Sequence, residues 1–405
     1  MKSFFADLHI HIGRTTAGNA VKITASRELT FANIINECLT RKGIDIIAVV
    51  DSACYGVLKD IRSLMDKGEL MELEEGGLLH RDKVTVILAS EVETCEPSGG
   101  SSHQIAFFPF LKQISEFSRI MSRYISNMEL SSQRAGLSCS QLFEVVKATG
   151  GILIPAHAFT PHKGLYGNAA RRMADVFAEA GLDITAVELG LSADTDIADR
   201  IDELNESSFL SNSDAHSLGK IGREYNIFEL EKPTFREVVL ALHRRSNRRI
   251  IANFGLDPRL GRYHRSFCTV CNFITESHPP VLACEKCGSG GDKFVRGVLD
   301  RIVQIEDFPE PRHPPHRPPY NYQIPLEFVP GVNNSILDRL ISAFGSEMAV
   351  LHSASKDELK KVVGWEIAGK IILAREGKLS LSAGGGGKYG SVVGALKQDE
   401  QLSLL

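Results

Sequence analysis

The chain has 405 residues, of which 43% are hydrophobic and 24% are charged, and its formal net charge is −4. This is the composition of an ordinary globular protein, so it excludes a collagen-like, coiled-coil or wholly disordered chain. No apolar run reaches the roughly 18–20 residues of a membrane span, and the start lacks the pattern of a signal peptide. We therefore expect a cytoplasmic protein that does not bind membranes.

Strand-like apolar runs and helix-like segments alternate over residues 1–250. The runs FFADLHIH, IDIIAVVD, VTVILASEVE and GILIPAHAF each end in polar residues. Residues 31–41 and 139–148 are predicted helices. Short buried strands that alternate with helices predict an α/β fold with a largely parallel sheet or barrel. In such folds, the reactive groups lie beyond the carboxyl ends of the strands.

The polar residues at the strand ends have the chemistry of metal ligands. The spacing i, i+2 in two of the motifs puts both side chains on one face of a strand. Imidazole and carboxylate groups suit zinc, manganese or iron. One such histidine alone would more often be a core or surface residue, but this many ionisable groups would be costly to bury without a metal. The residues are Asp7, His9, His11, Asp51, Glu91, Glu93, His103, His157, Asp214 and His216.

The order of these motifs resembles the PHP (polymerase and histidinol phosphatase) metallo-phosphoesterase family over residues 1–230. The resemblance rests on the HxH motif, the acid after an apolar run, the AH motif and the SDAH motif. It implies a distorted seven-stranded β/α barrel with two or three divalent metals (zinc, manganese or magnesium) at the strand ends. It also implies that one metal binds His9, His11, Glu91 and Asp214, and that a second binds Glu91, His103 and His157.

A third metal and the proton-transfer residue are left open by the sequence. The family's Thr-Asp-His motif reads Val50-Asp51-Ser52 here, so a third metal would have to bind Asp51 and His216. Metals about 3.5–4 Å apart would neutralise the charge of a phosphodiester and lower the pKa of a water. Glu93 is an alternative bridging ligand. The candidate catalytic residues are Glu91, Asp214, His216, Asp51 and Glu93.

Two Cys-x2-Cys pairs predict a structural zinc site with four cysteine ligands, Cys268, Cys271, Cys284 and Cys287. The pairs are twelve residues apart, which is a spacing typical of tetrahedral zinc. Two disulfides or redox pairs are the alternative. Because four protein ligands leave no open position, we expect this zinc to stabilise the fold and not to take part in catalysis.

Residues 232–265 contain nine Lys or Arg and two acids. Such a segment binds a polyanion or is a solvated helix face followed by a linker, and charge alone does not distinguish the two. The loop FTPHKGLYG after His157 has basic and aromatic residues near the predicted metals, although an ordinary barrel loop is the alternative. The candidate DNA-binding residues of these segments are His162, Lys163, Tyr166, Arg223, Arg262, Tyr263 and Arg265.

The carboxyl-terminal part has three distinct compositions. Residues 307–325 contain seven prolines and predict an extended connector. Glycine turns at Gly331 and Gly364 resemble a tandem helix-hairpin-helix unit, which would bind DNA backbones, with a helical packing module as the alternative. The GGGG run predicts disorder beyond residue 378. The predicted units are a barrel at 1–250, a zinc region and connector at 251–323, a helical domain at 324–378 and a disordered tail at 379–405.

The combination of these units resembles the endonuclease Q family over residues 1–380. The resemblance implies a DNA repair endonuclease that cuts on the 5′ side of uracil, hypoxanthine, xanthine and abasic sites. DNA containing deaminated bases is the implied partner, and replication or repair proteins are open as further partners, as is the oligomeric state. Deamination gives these bases a common O=C–N–H edge, which a pocket can read once the base leaves the helix.

Three other functions remain open from the sequence. They are a phosphatase of small phosphate monoesters, a non-catalytic DNA-binding protein, and a PHP exonuclease. Salt-dependent DNA affinity would distinguish the first from the others. Metal-dependent cutting would exclude the second, and an internal nick at a defined position would exclude the third.

Overall fold

The structure is a computed structural model that describes residues 1–177 and 183–395. In that part of the chain, no helix is long and apolar enough to cross a membrane. The helices are α1 (Phe31–Glu37), α2 (Tyr55–Asp66), α3 (Leu111–Met121), α4 (Cys139–Ala148), α5 (Ala174–Phe177), α6 (Thr195–Ala198), α7 (Phe235–Leu242), α8 (Val298–Ile305), α9 (Asn334–Phe344), α10 (Glu347–His352) and α11 (Lys356–Arg375). The strands are β1 (Lys2–Ile10), β2 (Ile46–Val49), β3 (Met71–Glu72), β4 (Leu78–His80), β5 (Val84–Cys95), β6 (Ser101–Phe108), β7 (Ile152–Pro155), β8 (Ala186–Glu188), β9 (Ser208–Leu210), β10 (Tyr225–Leu230), β11 (Arg249–Gly255), β12 (Phe267–Cys268), β13 (Phe294–Val295), β14 (Tyr320–Tyr322), β15 (Leu379–Ser382) and β16 (Ser391–Ala395).

A ten-stranded mixed sheet forms the centre of the fold, in the order β14-β11-β10-β1-β2-β5-β4-β3, with β6 and β7 continuing from β5. The mixed α/β class is therefore confirmed. The prediction of a largely parallel sheet is wrong, because β1–β2, β2–β5 and β11–β14 are parallel whereas the other pairings in this sheet are antiparallel. A second, two-stranded sheet pairs β8 with β9 in parallel.

The burial of both faces of the central strands explains why the sequence did not show their direction. In β2, Ile46 and Ala48 belong to one apolar cluster, and Ile47 and Val49 belong to another. A strand that is covered on both faces reads as a continuous apolar run whether its neighbours are parallel or antiparallel to it. The composition of these strands therefore specifies burial but not pairing.

Backbone hydrogen bonds bring the ends of several strands together. The N–H of His11 donates to Ala215 (3.1 Å), that of Glu91 to Val50 (2.7 Å), and that of Ala158 to Glu188 (2.9 Å). The first bond joins the end of β1 to the segment after β9, and the second joins the end of β2 to the middle of β5. The third joins the segment after β7 to the end of β8. Polar side chains far apart in sequence thus meet at one end of the sheet.

The two predicted helices form as expected. Helix α4 begins after Ser138, whose hydroxyl accepts the N–H of Gln141, while the Gln141 side chain accepts the N–H of Ser138. This reciprocal cap satisfies backbone donors that the first turn leaves free. Helix α1 continues as a π-helix over Cys38–Lys42. It ends at Gly43, whose φ of 75° is the left-handed conformation that favours glycine.

The proline-rich connector is extended and lies against the main sheet. Its last residues form β14, which pairs in parallel with β11. The predicted boundary after residue 250 falls inside β11. The connector supplies β14, which is the edge strand of the main sheet next to β11. Arg317 anchors the segment, because its guanidinium donates to Asp199 (2.7 Å) and stacks 3.5 Å from the Phe209 ring centroid.

The carboxyl-terminal helices pack on the rest of the fold through polar contacts. Lys42 pairs with Glu347 at 2.8 Å, and His352 Nε2 lies 2.6 Å from the hydroxyl of Tyr225. Both predicted glycine turns are present, since Gly331 has φ 95° and Gly364 interrupts α11 with φ 81°. The helix-hairpin-helix interpretation stays a prediction.

The prediction of a disordered tail is wrong for residues 379–395, which form the antiparallel pair β15–β16. The glycines between the two strands allow close backbone contact. The N–H of Gly390 donates to the Leu260 carbonyl at 2.9 Å, and a Cβ at Gly384 would lie 2.7 Å from the Gly261 carbonyl oxygen. The glycine run is therefore a sterically required, packed loop. Residues 396–405 lie outside the described part of the chain.

We expect Arg317→Met to lower the free energy of unfolding by about 3–5 kcal/mol, because it leaves the buried Asp199 carboxylate without its guanidinium partner. Urea unfolding followed by circular dichroism measures this change. Arg249→Met is the matched control, since Arg249 is exposed and pairs with Glu229 at the surface, and it should change stability by less than about 0.5 kcal/mol. Equal losses in the two variants would show that Arg317 does not anchor the connector.

Candidate metal centre and DNA-binding cleft

The first of two metal-binding groups lies at the end of β1 and contains His9, His11 and Asp214. One ligand atom from each residue lies within 4.8 Å of the others. Asp214 Oδ1 is 3.6 Å from His9 Nε2 and 3.4 Å from His11 Nε2. Asp214 follows β9 and has φ 45°, a conformation that aspartate tolerates better than most residues. Its carboxylate thereby faces the two imidazoles.

The second group contains Glu91, His103 and His157, from β5, β6 and the segment after β7. Glu91 Oε1 lies 2.8 Å from His103 Nδ1 and 3.3 Å from His157 Nε2. The same oxygen is 3.6 Å from His9 Nε2, and Oε2 is 3.5 Å from His11 Nε2. Glu91 therefore contacts both groups, which is the bridging position that the family resemblance implies.

The orientation of the imidazoles fits a cation. Glu188 contacts His9 Nδ1 at 3.0 Å, and both Asp51 oxygens contact His11 Nδ1 at 3.2 Å. Each carboxylate favours a proton on Nδ1, which leaves a lone pair on Nε2. The two Nε2 atoms are 3.3 Å apart. Two lone pairs at this distance repel each other unless a positive charge lies between them, so these residues suit a divalent metal.

Asp51 and Asp7 support the cluster from outside it. Asp51 is buried, accepts hydrogen bonds from the Ile12 N–H and the Ser131 hydroxyl, and lies behind the His11 ring. This position does not support its expected roles as a ligand of a third metal and as a proton carrier. Asp7 accepts the N–H groups of Ser213 (3.1 Å) and Gly222 (2.9 Å) and so holds the backbone next to Asp214.

Glu93 and His216 lie at the edge of the cluster. Glu93 accepts a hydrogen bond from Lys163 Nζ at 2.5 Å and is 3.9 Å from His103 Nε2. The nearby His103 imidazole and the hydrogen bond from Lys163, against a smaller effect of burial, lower the pKa of Glu93 to about 2. His216 lines the cleft, and its Nδ1 lies 2.9 Å from the Asp214 carbonyl oxygen. Of the two, His216 lies closer to the first metal group.

Lys22 is a part of the site that the sequence did not reveal. Its ammonium group donates to Glu91 Oε2 (3.2 Å) and to Ser132 Oγ (2.6 Å), and the Ser132 hydroxyl also bonds Glu91. Burial opposes ionisation of Glu91, but the charges of His103 and Lys22 outweigh it and hold the pKa of Glu91 well below its usual range. Lys22 lies in a loop without a motif, so no pattern pointed to it.

A cleft of about 530 Å³ opens above the metal-binding groups. Five of the predicted DNA-binding residues line it, namely His162, Lys163, Arg223, Arg262 and Tyr263. Three basic or aromatic residues outside that prediction also line it, namely Lys22, Lys220 and Tyr389. The cleft thus combines carboxylates and imidazoles at its floor with cationic and aromatic walls.

The comparisons with known proteins agree with this geometry. A family model described as PHP-associated matches residues 196–247. The chain is 45% identical over 394 residues to the uncharacterized protein YqxK of Bacillus subtilis (strain 168), covering 97% of this chain and 100% of that protein. It is 39% identical over 224 residues to an uncharacterized protein of Methanocaldococcus jannaschii, covering 51% of this chain and 28% of that protein.

Two solved structures cover nearly the whole chain. The lesion-specific endonuclease PfuEndoQ from Pyrococcus furiosus has a TM-score of 0.82 and 30% identity, with 99% of both chains covered. A complex of endonuclease Q with a 27-mer duplex that has an abasic lesion at the active site has a TM-score of 0.82 and 31% identity, with 98% of both chains covered. The chain belongs to the endonuclease Q family. It is therefore a hydrolase, a metal-dependent endonuclease.

The four-cysteine cluster of this family member is preformed. The four sulfur atoms lie within 4.8 Å of one another, and the Cys268–Cys287 and Cys271–Cys284 sulfur distances are 3.6 and 3.4 Å. These distances are far longer than a disulfide bond, so the disulfide alternative is not supported. The donor set suits a tetrahedral ion, and zinc as its identity stays a prediction.

Two predicted DNA-binding residues lie elsewhere. Tyr166 is fully buried, stacks on Phe159 with ring centroids 5.3 Å apart, and donates to Glu203 at 2.9 Å. It is a core residue, since its ring is buried and its hydroxyl has a hydrogen-bond partner. Arg265 donates to the Ser277 carbonyl at 2.5 Å and lies 3.6 Å from Asp300, so it holds the zinc region together.

The basic segment at 232–265 is mostly neutralised. Arg265 pairs with Asp300, and five more of its arginines pair with acids from neighbouring elements or from the segment itself, so these charges are not free to attract a polyanion. The segment therefore contributes chiefly Arg262 to the cleft. The pairs are Arg236–Glu75, Arg244–Glu206, Arg248–Glu237, Arg249–Glu229 and Arg259–Asp257.

We expect Glu188→Gln to lower metal affinity at the barrel site about 10- to 100-fold, because His9 loses the carboxylate that orients its ring. Equilibrium dialysis against manganese, followed by metal analysis, measures the affinity. Glu229→Gln is the control, since Glu229 lies at the surface beside Arg249. Unchanged manganese affinity in Glu188→Gln would contradict the role of this carboxylate.

We expect Cys284→Ser to remove one tightly bound zinc ion per chain, because four sulfur ligands are needed to close the site. Zinc released into a colorimetric chelator from the purified protein gives the stoichiometry. Cys139→Ser is the matched control, since Cys139 is also buried but lies beside Thr94 in the barrel. A zinc content that stays the same in Cys284→Ser would rule out the cluster as a zinc site.

Proposed function

We propose that this endonuclease nicks DNA on the 5′ side of deaminated bases (uracil, hypoxanthine and xanthine) and of abasic sites. The observation that carries the proposal is the cleft itself, in which a shared metal-binding floor lies below phosphate-binding and aromatic side chains. The endonuclease Q structure with an abasic lesion at its active site supports the same substrate class here.

The walls of the cleft suit a nucleic-acid backbone. Arg223 and Arg262 line it, and guanidinium groups bind phosphate by charge-assisted hydrogen bonds. Lys163 and Lys220 also line it, paired with Glu93 and Glu327, and a phosphate would compete with these acids for them. The cleft volume of about 530 Å³ is within the range of pockets that enclose one small ligand. A single nucleotide displaced from the duplex would fit, whereas an intact duplex would have to stay outside.

The metal ions would be held by His9, His11 and Asp214 on one side and by His103 and His157 on the other, with Glu91 between them. When bound, divalent metals act as Lewis acids that offset the negative charge of the phosphodiester and activate a water for attack. Lys22 offsets part of the charge of Glu91 and keeps this carboxylate ionised. Glu188 and Asp51 fix the rings of His9 and His11.

We assign proton transfer to His216 on its position. Asp51 is buried behind His11, and Glu93 is held by Lys163, so neither faces the reacting phosphate freely. His216 lines the cleft next to Asp214, and its Nδ1 is occupied by the Asp214 carbonyl. This leaves Nε2 to exchange a proton with a group in the cleft.

The aromatic wall suits a flipped base. The rings of His162 and Tyr263 are in edge contact, with centroids 5.3 Å apart, and both line the cleft beside Lys163. A base that leaves the helix exposes its O=C–N–H edge and exchanges stacking in the duplex for stacking on protein side chains. We propose that this wall forms one side of the space that receives the lesion nucleotide.

The glycine turns would add a second contact with the DNA backbone. A Cβ at Gly364 would meet no atom within 4 Å, so the turn presents its backbone to solvent. Trp365, which follows it, is 68% exposed, and the ammonium groups of Lys356 and Lys360 lie 5.1 and 4.4 Å from its ring centroid. An exposed backbone turn flanked by lysines suits phosphate oxygens.

The proposal predicts a single nick in an end-labelled duplex that contains one deoxyuracil or one hypoxanthine. The product should end immediately 5′ of the lesion in the presence of magnesium, manganese or zinc, and an undamaged duplex should stay intact. Asp214→Asn should abolish cutting by at least about 100-fold, because it removes a charged ligand from the metal site. Asp66→Asn, at the exposed end of α2, is the control.

Other product patterns would contradict the proposal. A ladder of products from the ends would indicate an exonuclease. Intact DNA with hydrolysis of a generic phosphate monoester would indicate a small-molecule phosphatase. Cutting that persists in Asp214→Asn would place the active site outside the barrel.

We also expect Arg262→Ala to weaken DNA binding and to reduce the slope of log affinity against log salt by about one, because one phosphate contact is lost. Fluorescence anisotropy at several salt concentrations, without divalent metal, measures both quantities. Arg249→Ala is the matched control, since Arg249 already pairs with Glu229. Equal salt slopes for Arg262→Ala and the unmodified protein would show that Arg262 does not contact phosphate.

A further inference from the structure

The C-terminal hairpin, residues 379–395, brings a tyrosine to the active-site cleft. Tyr389 lies in the loop between β15 and β16 and lines the cleft together with Asp214 and His216. It comes from a part of the chain whose composition predicts disorder, more than 170 residues away in sequence from either of them. For Tyr389 to line the cleft, the hairpin has to lie against the cleft wall.

The hairpin loop is fixed by backbone contacts with the segment that enters the zinc region. The N–H of Gly384 donates to the Arg259 carbonyl (2.7 Å), and that of Gly387 donates to the Arg262 carbonyl (3.3 Å). A Cβ at Gly386 would lie 2.6 Å from Phe267 Cδ2. Side chains at positions 384 and 386 would collide with these neighbours. The glycines therefore allow the close contact that fixes the loop and the position of Tyr389.

Two arginines hold the Tyr389 ring at the cleft. Arg262 lies over the ring, with its Cζ atom 4.2 Å from the centroid, and Arg223 Nη1 donates to the tyrosine hydroxyl at 3.1 Å. Arg223 also donates from Nε to the Ser213 carbonyl at 2.8 Å. A continuous set of contacts therefore connects Tyr389 with the residue that precedes Asp214.

This arrangement places a flat apolar surface between phosphate-binding groups. Arg262 lies closest to the ring, the Arg223 Cζ atom is 5.5 Å from the same centroid, and Tyr389 as a residue is 36% exposed, so part of its surface remains open. A nucleobase is the flat, apolar-faced group that accompanies a phosphodiester. Aromatic side chains that stack on bases contribute about 1–3 kcal/mol per base, whatever the identity of the base.

We propose that Tyr389 stacks on the displaced lesion base and so determines how well base-bearing lesions are cut relative to abasic sites. This inference rests on the proposed function. An abasic nucleotide has no base to stack on, so it would use the metals and the phosphate-binding arginines without Tyr389.

Cutting rates on three end-labelled duplexes test this inference. The duplexes contain uracil, hypoxanthine or a tetrahydrofuran abasic analogue at the same position. Tyr389→Ala should cut the uracil and hypoxanthine duplexes roughly 10- to 100-fold more slowly, while its rate on the abasic duplex should fall much less, because that duplex offers no base to stack. Tyr389→Phe keeps the ring and loses only the hydroxyl that Arg223 contacts, so it should cut the base-bearing duplexes faster than Tyr389→Ala does.

Tyr124→Ala is the matched control, because Tyr124 is also exposed but lies after α3, away from the cleft. Thermal unfolding shows whether each variant is folded. An equal loss on all three duplexes would make Tyr389 a structural or backbone-binding residue, and no loss on the uracil duplex would exclude stacking. Either result overturns the inference.

Photo-cross-linking separates this inference from the proposed function. A duplex with 4-thiouracil at the lesion position is irradiated with the full-length protein in EDTA, which blocks cutting, and the cross-linked peptide is identified by mass spectrometry. A cross-link at Tyr389 that Tyr389→Ala abolishes supports stacking even if the protein cuts none of the duplexes. A cross-link that persists in Tyr389→Ala overturns it, whether or not the protein cuts.

Discussion

The carboxylate of Glu91 is the contact on which the site depends. It touches His103 and His157 from one metal-binding group and His9 and His11 from the other. So many polar groups cannot be buried together unless charges are paired and a cation completes the set. Lys22 compensates Glu91 at the oxygen that also faces His11, while Glu188 and Asp51 orient His9 and His11. The strands around them must come together here, because each supplies one of these groups.

The candidate metal ligands and Asp51 could be singled out from the sequence, but Glu188 and Lys22, which contact them, could not. His9, His11 and Asp214 follow apolar runs at spacings that only a shared metal explains well. Glu188 also ends an apolar run, ITAVELG, so a signal existed, but a single acid without a nearby histidine resembles any strand terminus. Lys22 had no signal, because a lysine in a loop is ordinarily solvated.

The sequence was equally uninformative about the direction of the strands and about the pairing of the charges in the basic segment. Apolar runs predicted buried strands correctly, yet strands covered on both faces carry no information about direction. Charge counts over 232–265 predicted a polyanion-binding surface as readily as a solvated one. Whether the arginines are free or paired depends on acids such as Glu75 and Glu229, which the fold brings next to Arg236 and Arg249. Long-range pairing of this kind is not encoded in local composition.

The glycine-rich tail shows how composition can mislead. Consecutive glycines in an unpartnered segment make a flexible linker, but against a fixed surface they permit approaches that any side chain would prevent. The loop at 384–390 lies against residues 259–267, and the same stretch carries Arg262 and Tyr263 and leads into Cys268. The wall of the cleft is therefore built on the zinc region. Ordering of the four cysteines would stabilise the surface on which the hairpin rests, so a site without catalytic ligands would still affect how the cleft holds DNA.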